Sequence, residues 1–321
     1  MNKLFEKAKY GLNFMHFHRK RVFVASAFVS GYGFACYKWR NHPNEIIRMG
    51  IAGSLAYLIV ESMFHFVDTV NVRAKLSETN VSSLNMARKI YRSEGLYGFS
   101  KGFSAMFYGS VACGFIYFSL YKLFKQYFKE KLGDEYNIAW TFFLASFVAE
   151  FFTLIFYYPY DLVKCRLQSG NYQFKYRNIP HAFRKEIKQG SILSLYKGSM
   201  PFLTAYTVSV SLQFTIYEYV ITFYKRLYGE NYSQIELTSN IVASFLGGVI
   251  SSALTNSLEV LTLQKQANPE VKLLQIIKQE RIKLFYKGLS ARVLYHSFQS
   301  IVFFNLVNQI GKIYNVELSD D

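Results

Sequence analysis

Cysteine, histidine and acidic residues are all scarce in this chain of 321 residues, and each shortage removes a class of protein. The three cysteines, Cys36, Cys113 and Cys165, lack metal-ligand spacing and fall in apolar or interfacial stretches, so they read as small buried residues. The six histidines are scattered, and neither a Ser, His and Asp set nor a glycine-rich phosphate loop accompanies them. Catalysis therefore has no support, and no metal is expected. Only 21 Asp and Glu stand against 37 Lys and Arg, for a formal net charge of +16. That excess would suit nucleic acid, yet there is no aromatic-basic platform or nucleic-acid fold motif to use it.

Apolar residues make up 51% of the chain and aromatics 18%, while the mean hydropathy is only +0.08 because long basic segments dilute the apolar ones. Six apolar stretches stand out: Ile46 to Phe66, Phe103 to Leu120, Trp140 to Tyr160, Phe202 to Tyr224, Ile241 to Leu263 and Ala291 to Ile310. At about 1.5 Å per residue, each is long enough for a hydrocarbon layer of about 30 Å. An all-α membrane protein is implied.

The stretches come in pairs, and the pairs repeat. Tyr158-Pro159-Tyr160-Asp161-Leu162-Val163-Lys164-Cys165-Arg166-Leu167-Gln168 recurs in weakened form as Phe66-Val67-Asp68-Thr69-Val70-Asn71 and as Ser257-Leu258-Glu259-Val260-Leu261-Thr262, at steps of 93 and 98 residues. Each copy is followed by a Lys-Gly pair: Lys101-Gly102, Lys197-Gly198 and Lys287-Gly288. Three homologous thirds are implied, at residues 46–132, 133–230 and 231–314, with an N-terminal extension at 1–45 and an acidic tail at 315–321. A Pro-x-Asp-x-x-Lys signature repeated in phase resembles the mitochondrial carrier family over about residues 46 to 314. The resemblance implies a multi-pass protein of the mitochondrial inner membrane, with two transmembrane helices and a short matrix helix per repeat. The short helices are expected near Leu84 to Tyr91, Pro180 to Lys188 and Leu273 to Lys278.

The charge distribution agrees with that arrangement. The long connections (71–101, 164–197 and 262–287) carry 20 basic against 5 acidic residues, whereas the short ones (122–135 and 225–236) carry 6 against 5. This is the positive-inside pattern, which would put the long connections in the matrix. Anionic lipid is the expected partner of that surface, and nucleic acid is not. Helix starts at Gly102, Gly198 and Gly288, beside Lys101, Lys197 and Lys287, expose amides suited to a lipid phosphate; the resemblance makes these cardiolipin positions. Gly53, Ser146 and Ser244, thirteen residues before each signature, together with Gly247 and Gly248, permit close helix packing. Val22 to Tyr37 runs 16 residues without charge between Arg19-Lys20-Arg21 and Lys38-Trp39-Arg40, marginal for a span. It is expected to be an extra interfacial or spanning helix, and residues 1–45 a surface for protein partners.

The resemblance also implies two gates, each a ring of salt bridges contributed by all three thirds. At the matrix gate the acids are Asp68, Asp161 and Glu259, but the basic positions hold Asn71, Lys164 and Thr262. One full-strength bridge is expected, Lys164 with Glu259, braced by Gln168 and Gln266, with Lys75 in the first third's brace position. At the cytoplasmic gate Lys122, Lys125, Glu218 and Asn308 leave at most one bridge, Glu218 with Lys125. Central-site contacts are expected at Gly109, Ser110, Ala205, Tyr206, Arg292, Tyr295 and His296. Arg292 is the one strong cation there, which disfavours nucleotides and di- or tricarboxylates. Glu61 and Glu150 are further acids at membrane depth, with no evident partner in the sequence. The worn gates and blank site suggest a non-transporting structural or accessory subunit of a larger inner-membrane assembly; the alternative is a working carrier of a small neutral or zwitterionic solute.

Overall fold

A computed structural model describes residues 31–318 except 35, 78–80, 133–137, 171–173, 175, 177, 189, 197 and 269. The expected helix at Val22 to Tyr37 falls mostly outside the described residues, as do Lys197 and Ser319-Asp320-Asp321. Among the described residues, those up to Asn44 belong to one unit and those from Glu45 onward to another.

Six long helices build the second unit: α1 (Glu45–Leu76), α3 (Phe103–Leu132), α4 (Ile138–Ser169), α6 (Ser199–Tyr228), α7 (Tyr232–Ala267) and α9 (Leu289–Tyr314). Shorter helices connect them: α2 (Ser83–Glu94), α5 (Ile179–Lys188) and α8 (Leu273–Glu280). With 26 to 36 residues, the long helices run about 39 to 54 Å, more than a bilayer core requires. Among the described residues, four stretches are long and apolar enough to cross a membrane: Glu45–Leu76, Ser83–Lys131, Ala139–Ser169 and Ser199–Ala267, the last holding both α6 and α7. α9 falls outside these stretches because Arg292, His296, Gln299, Asn305 and Asn308 interrupt its apolar residues.

The long helices close on themselves. α1 packs on α3, α3 on α4, α4 on α6, α6 on α7, α7 on α9, and α9 returns to α1. Exposed apolar side chains such as Phe151, Phe156, Phe223, Leu254 and Phe298 cover the outside. The helix contacts hold small or hydroxyl residues, which let backbones approach where there is no water to expel. Gly53 lies against Phe118, Ser146 Oγ lies 3.0 Å from the Tyr117 hydroxyl, and the Ser300 hydroxyl donates to the Ser244 carbonyl at 2.7 Å. At Gly248 it is backbone that approaches, since a Cβ there would lie 2.8 Å from Ser297 Cα and 2.9 Å from the His296 carbonyl oxygen.

The first helix of each pair continues past its signature rather than ending near it. Even Pro159 lies inside α4. Proline removes the amide that would bond to the carbonyl four residues earlier. Here the Tyr196 hydroxyl donates to that carbonyl, Ile155 O, at 2.9 Å, so the helix continues to Ser169 without an orphaned acceptor. Beyond the signature, each helix is tied to the acid that closes its own repeat's connection. Arg73 pairs with Glu94 at 2.6 Å, Arg166 pairs with Glu186, and Gln264 donates to Glu280 at 3.3 Å. Each of these donors stands five residues after a signature acid, so one contact recurs in all three repeats.

Candidate functional site: a cavity between two closures

The three signature acids converge where α1, α4 and α7 meet. Lys164 Nζ lies 2.9 Å from Asp68 and 3.9 Å from Asp161, so it bridges two repeats. Glu259 does not pair with Lys164, contrary to the sequence expectation. Its partners are Lys75 at 2.7 Å and Arg292 at 2.5 Å. The braces explain the exchange. Gln168 donates to Asp68 at 3.0 Å and Gln266 donates to Asp161 at 2.9 Å, so the residue seven places after each acid reaches back to the acid of the preceding repeat. In the first repeat that residue is Lys75, which reaches Glu259 by the same path and brings a charge that a glutamine lacks. The expectation of one bridge at this ring is therefore corrected: three bases, Lys164, Lys75 and Arg292, meet three acids. Asn71 is buried and joins no ion pair among the described residues, and Thr262 turns its hydroxyl onto its own helix at Leu258, 2.9 Å away.

The pairs are nearly dry. The Lys75 side chain is 3% exposed and that of Arg292 4%. Two buried charges recover their desolvation cost only when they are well paired, so breaking either contact is costly. Just beyond the ring, Val72, Cys165 and Leu263 from α1, α4 and α7 form an apolar layer. Farther out, Glu94 holds both Arg73 and Lys101, and these hydrogen bonds, Arg73's foremost, lower its carboxyl to about 2.

The opposite end is closed by aromatic rings and a second polar network. Phe214 on α6 contacts Tyr117 on α3 with centroids 5.2 Å apart and Phe304 on α9 at 5.0 Å, and Phe118 meets Phe303 at 6.0 Å. Above them Lys125 Nζ pairs with Glu218 at 2.8 Å, and the Tyr121 hydroxyl donates to the same carboxylate. Lys122 pairs with Glu45 at 3.0 Å, while the Asn308 amide donates to the Tyr217 hydroxyl at 2.7 Å. The chain after α9 adds a contact that the sequence did not suggest. Asn315 takes a left-handed conformation (φ 50°) and its carbonyl accepts from Arg48 at 3.3 Å. Val316 and Leu318 are then buried, and Lys125 donates to the Leu318 carbonyl.

Between the two closures lies a cavity walled by side chains of α1, α3, α4, α6, α7 and α9. Of the expected central contacts, Ala205, Tyr206, Arg292 and His296 line it. Gly109, Ser110 and Tyr295 do not. Gly109 faces Tyr157 and Tyr160, Ser110 is fully buried, and Tyr295 packs edge-on against Phe64. On α3 the lining starts one helical turn later, at Cys113, Gly114 and Tyr117, because Gly109 is used for the close approach of α4. The sequence reading missed Tyr57, Gln213 and Gln299. Gln213 and Gln299 could have been found by helical spacing, since each stands seven residues after an expected contact, Tyr206 and Arg292. Glu61 and Glu150 both line the cavity, and Gln299 donates to Glu61 at 2.9 Å.

At the expected lipid positions, Gly102, Gly198 and Gly288 all have left-handed backbones (φ 82°, 83° and 68°) at the starts of α3, α6 and α9. Lys101 and Lys287 are drawn to acids, Glu94 at 2.7 Å and Glu280 at 2.6 Å.

Three segments of the chain, residues 42–132, 137–228 and 233–317, match the family model for mitochondrial carrier protein. Mitochondrial substrate carrier family protein E of Dictyostelium discoideum is 27% identical over 266 residues, covering 76% of this chain and 88% of that protein. Mitochondrial citrate transporter C of Aspergillus niger is 28% identical (76% and 83% covered), and mitochondrial thiamine pyrophosphate carrier 1 of Saccharomyces cerevisiae is 27% identical (74% and 85% covered). These relatives are named as carriers and transporters, which overturns the expectation of a non-transporting accessory subunit. That expectation rested on counting charges at the usual gate positions, and the ring recruits its missing bases from Lys75 and Arg292 instead. A threefold family match, a closed six-helix ring and a cavity held between two closures lead to one conclusion: the chain belongs to the mitochondrial carrier family.

Proposed function

We propose that this protein is an active carrier of the mitochondrial inner membrane that moves a small neutral or zwitterionic solute through its central cavity. The ring of Lys164, Lys75 and Arg292 with Asp68, Asp161 and Glu259 carries this reading. It supplies a charged closure that can be broken and remade, and it retains three bases even though two of the usual positions have lost theirs. With the basic connections in the matrix, this ring is the matrix gate, and the network of Lys125, Glu218, Lys122 and Asn308 is the cytoplasmic one. Polyanionic solutes fit poorly, because Arg292 is already engaged by Glu259 and Thr255 and two further carboxylates line the same walls. Anionic lipid, cardiolipin in particular, is proposed at the helix starts of Gly102, Gly198 and Gly288.

The test is exchange by the purified full chain in liposomes loaded with mixed amino acids, amines, carboxylates and nucleotides. Uptake of a labelled neutral or zwitterionic solute against such a pool, abolished by Arg292→Met, is the expected result. Exchange confined to nucleotides or tricarboxylates would overturn the assignment of solute class, and the absence of exchange with every solute would overturn the carrier reading.

A further inference from the structure

The charges inside the barrel do not balance. At the signature ring, three bases meet three acids within ion-pairing distance. The cavity adds two more carboxylates, Glu61 on α1 and Glu150 on α4, and neither has an ion pair among the described residues. By helix rise, Glu61 stands about 10 Å along α1 from Asp68 and Glu150 about 16 Å along α4 from Asp161, too far for either to belong to the ring. Glu61 has one neutral donor, Gln299 at 2.9 Å. Glu150 is 8% exposed and has no hydrogen-bond partner among the described residues, although it borders open space.

A buried carboxylate without a donor or cation is costly, and a side chain held in that state beside a cavity is poised for something that enters it. The same cavity presents the opposite deficiency on α9. Arg292 is 4% exposed, its Nη2 donates to Thr255 at 2.9 Å and its Nε faces Glu259, but its buried Nη1 has no acceptor. The unpaired acids and the Arg292 side chain therefore line one pocket, with Nη1 buried behind its wall until a solute or a side-chain shift reaches it. Tyr57 and Tyr157 stand on the same walls as the acids, so aromatic rings border the same space.

From this arrangement we infer that Glu61 and Glu150 form a cation-accepting subsite for an ammonium group of the transported solute. Arg292 Nη1 receives the solute's acceptor oxygen at the ring side, so the substrate class is an amine that also carries a carboxylate or amide. The inference rests on the carrier reading for the word "transported" and on geometry alone for the subsite. It also couples the solute to the gate: an acceptor that engages Arg292 competes with Glu259, and loosening that pair weakens the ring.

The test uses the purified full chain in mild detergent with three probes that share a carbon chain: 5-aminopentanoate, pentylamine and pentanoate. Binding is read from the melting transition, and occupancy of the acids from modification of Glu61 and Glu150 by dicyclohexylcarbodiimide, located by mass spectrometry. Both ammonium probes should raise the melting temperature and slow modification of Glu150, and pentanoate should do neither. Glu150→Gln should raise the half-saturating concentration of 5-aminopentanoate at least about tenfold, the loss expected for a charge-assisted hydrogen bond. Carbodiimide protection in the unmutated protein keeps the test decisive if the variant folds poorly. Protection without exchange of 5-aminopentanoate in liposomes supports the subsite and overturns transport of that probe alone; the carrier reading falls only if no solute is exchanged. Exchange of an amine-free solute that is indifferent to Glu150→Gln, with no protection by amines, leaves the carrier reading standing and overturns the subsite. Failure of every ammonium probe to bind or protect also overturns it.

Discussion

Lys75 offers the sharpest test of how the signature ring holds. Its ammonium lies 2.7 Å from Glu259, with the two side chains 3% and 14% exposed. Removing one partner of a buried pair costs about 3–5 kcal/mol when the other is left alone. Glu259 keeps Arg292 at 2.5 Å, so for Lys75→Met about 2 kcal/mol is the better figure. Lys75→Gln restores the brace that the other repeats use, at 3.0 Å for Gln168 and 2.9 Å for Gln266. One such hydrogen bond returns about 1 kcal/mol, leaving a deficit of about 1. In populations, the open signature end should rise about thirtyfold for the methionine variant and about fivefold for the glutamine one. Cys165 reports it directly, because it is 2% exposed within the layer of Val72 and Leu263 just beyond the ring. With Cys36 and Cys113 replaced by serine, the rate at which a water-soluble maleimide labels Cys165 follows the open fraction as long as reclosing outpaces labelling. The expected order is methionine fastest, glutamine intermediate and unmutated slowest. If Lys75→Met labels no faster than the unmutated chain, the recruited base contributes nothing to closure and the account of the ring is wrong.

Two further outcomes follow from the same geometry. Glu218 is fully buried and holds both Lys125 and the Tyr121 hydroxyl, so Glu218→Gln should destabilise by about 3 kcal/mol by stranding the Lys125 ammonium. Adding Lys125→Met should recover much of that loss in thermal unfolding, and simple additivity of the two losses would refute the pairing. Gly248→Ala should cost about 1–3 kcal/mol because its Cβ meets the backbone of Ser297 and His296, whereas Gly190→Ala, whose Cβ meets Ser194 Cβ at an ordinary 3.5 Å among the described residues, should leave the melting temperature nearly unchanged.

The sequence alone determined the repeat, the helical membrane class and the family, because these depend on local information: apolar runs of spanning length, turn and signature residues at fixed steps, and small residues at one register. Asp68, Asp161 and Glu259 were legible as a set for the same reason, since each is defined by its place in its own repeat. The partners they choose were not legible, because a pair depends on which side chain on another helix reaches across the axis. Lys75 stood in a brace position in the sequence and became a gate base only when α1 and α7 met; Arg292 read as a substrate cation and lies against Glu259. Gly109 and Tyr295 sat at the expected spacing, yet tertiary packing turned them to helix contacts. The charge balance of the cavity, with Glu61 and Glu150 left over once the ring is paired, likewise exists only in the assembled barrel. Ion pairing is a property of distances between helices, and the one-dimensional pattern that builds each helix does not contain them.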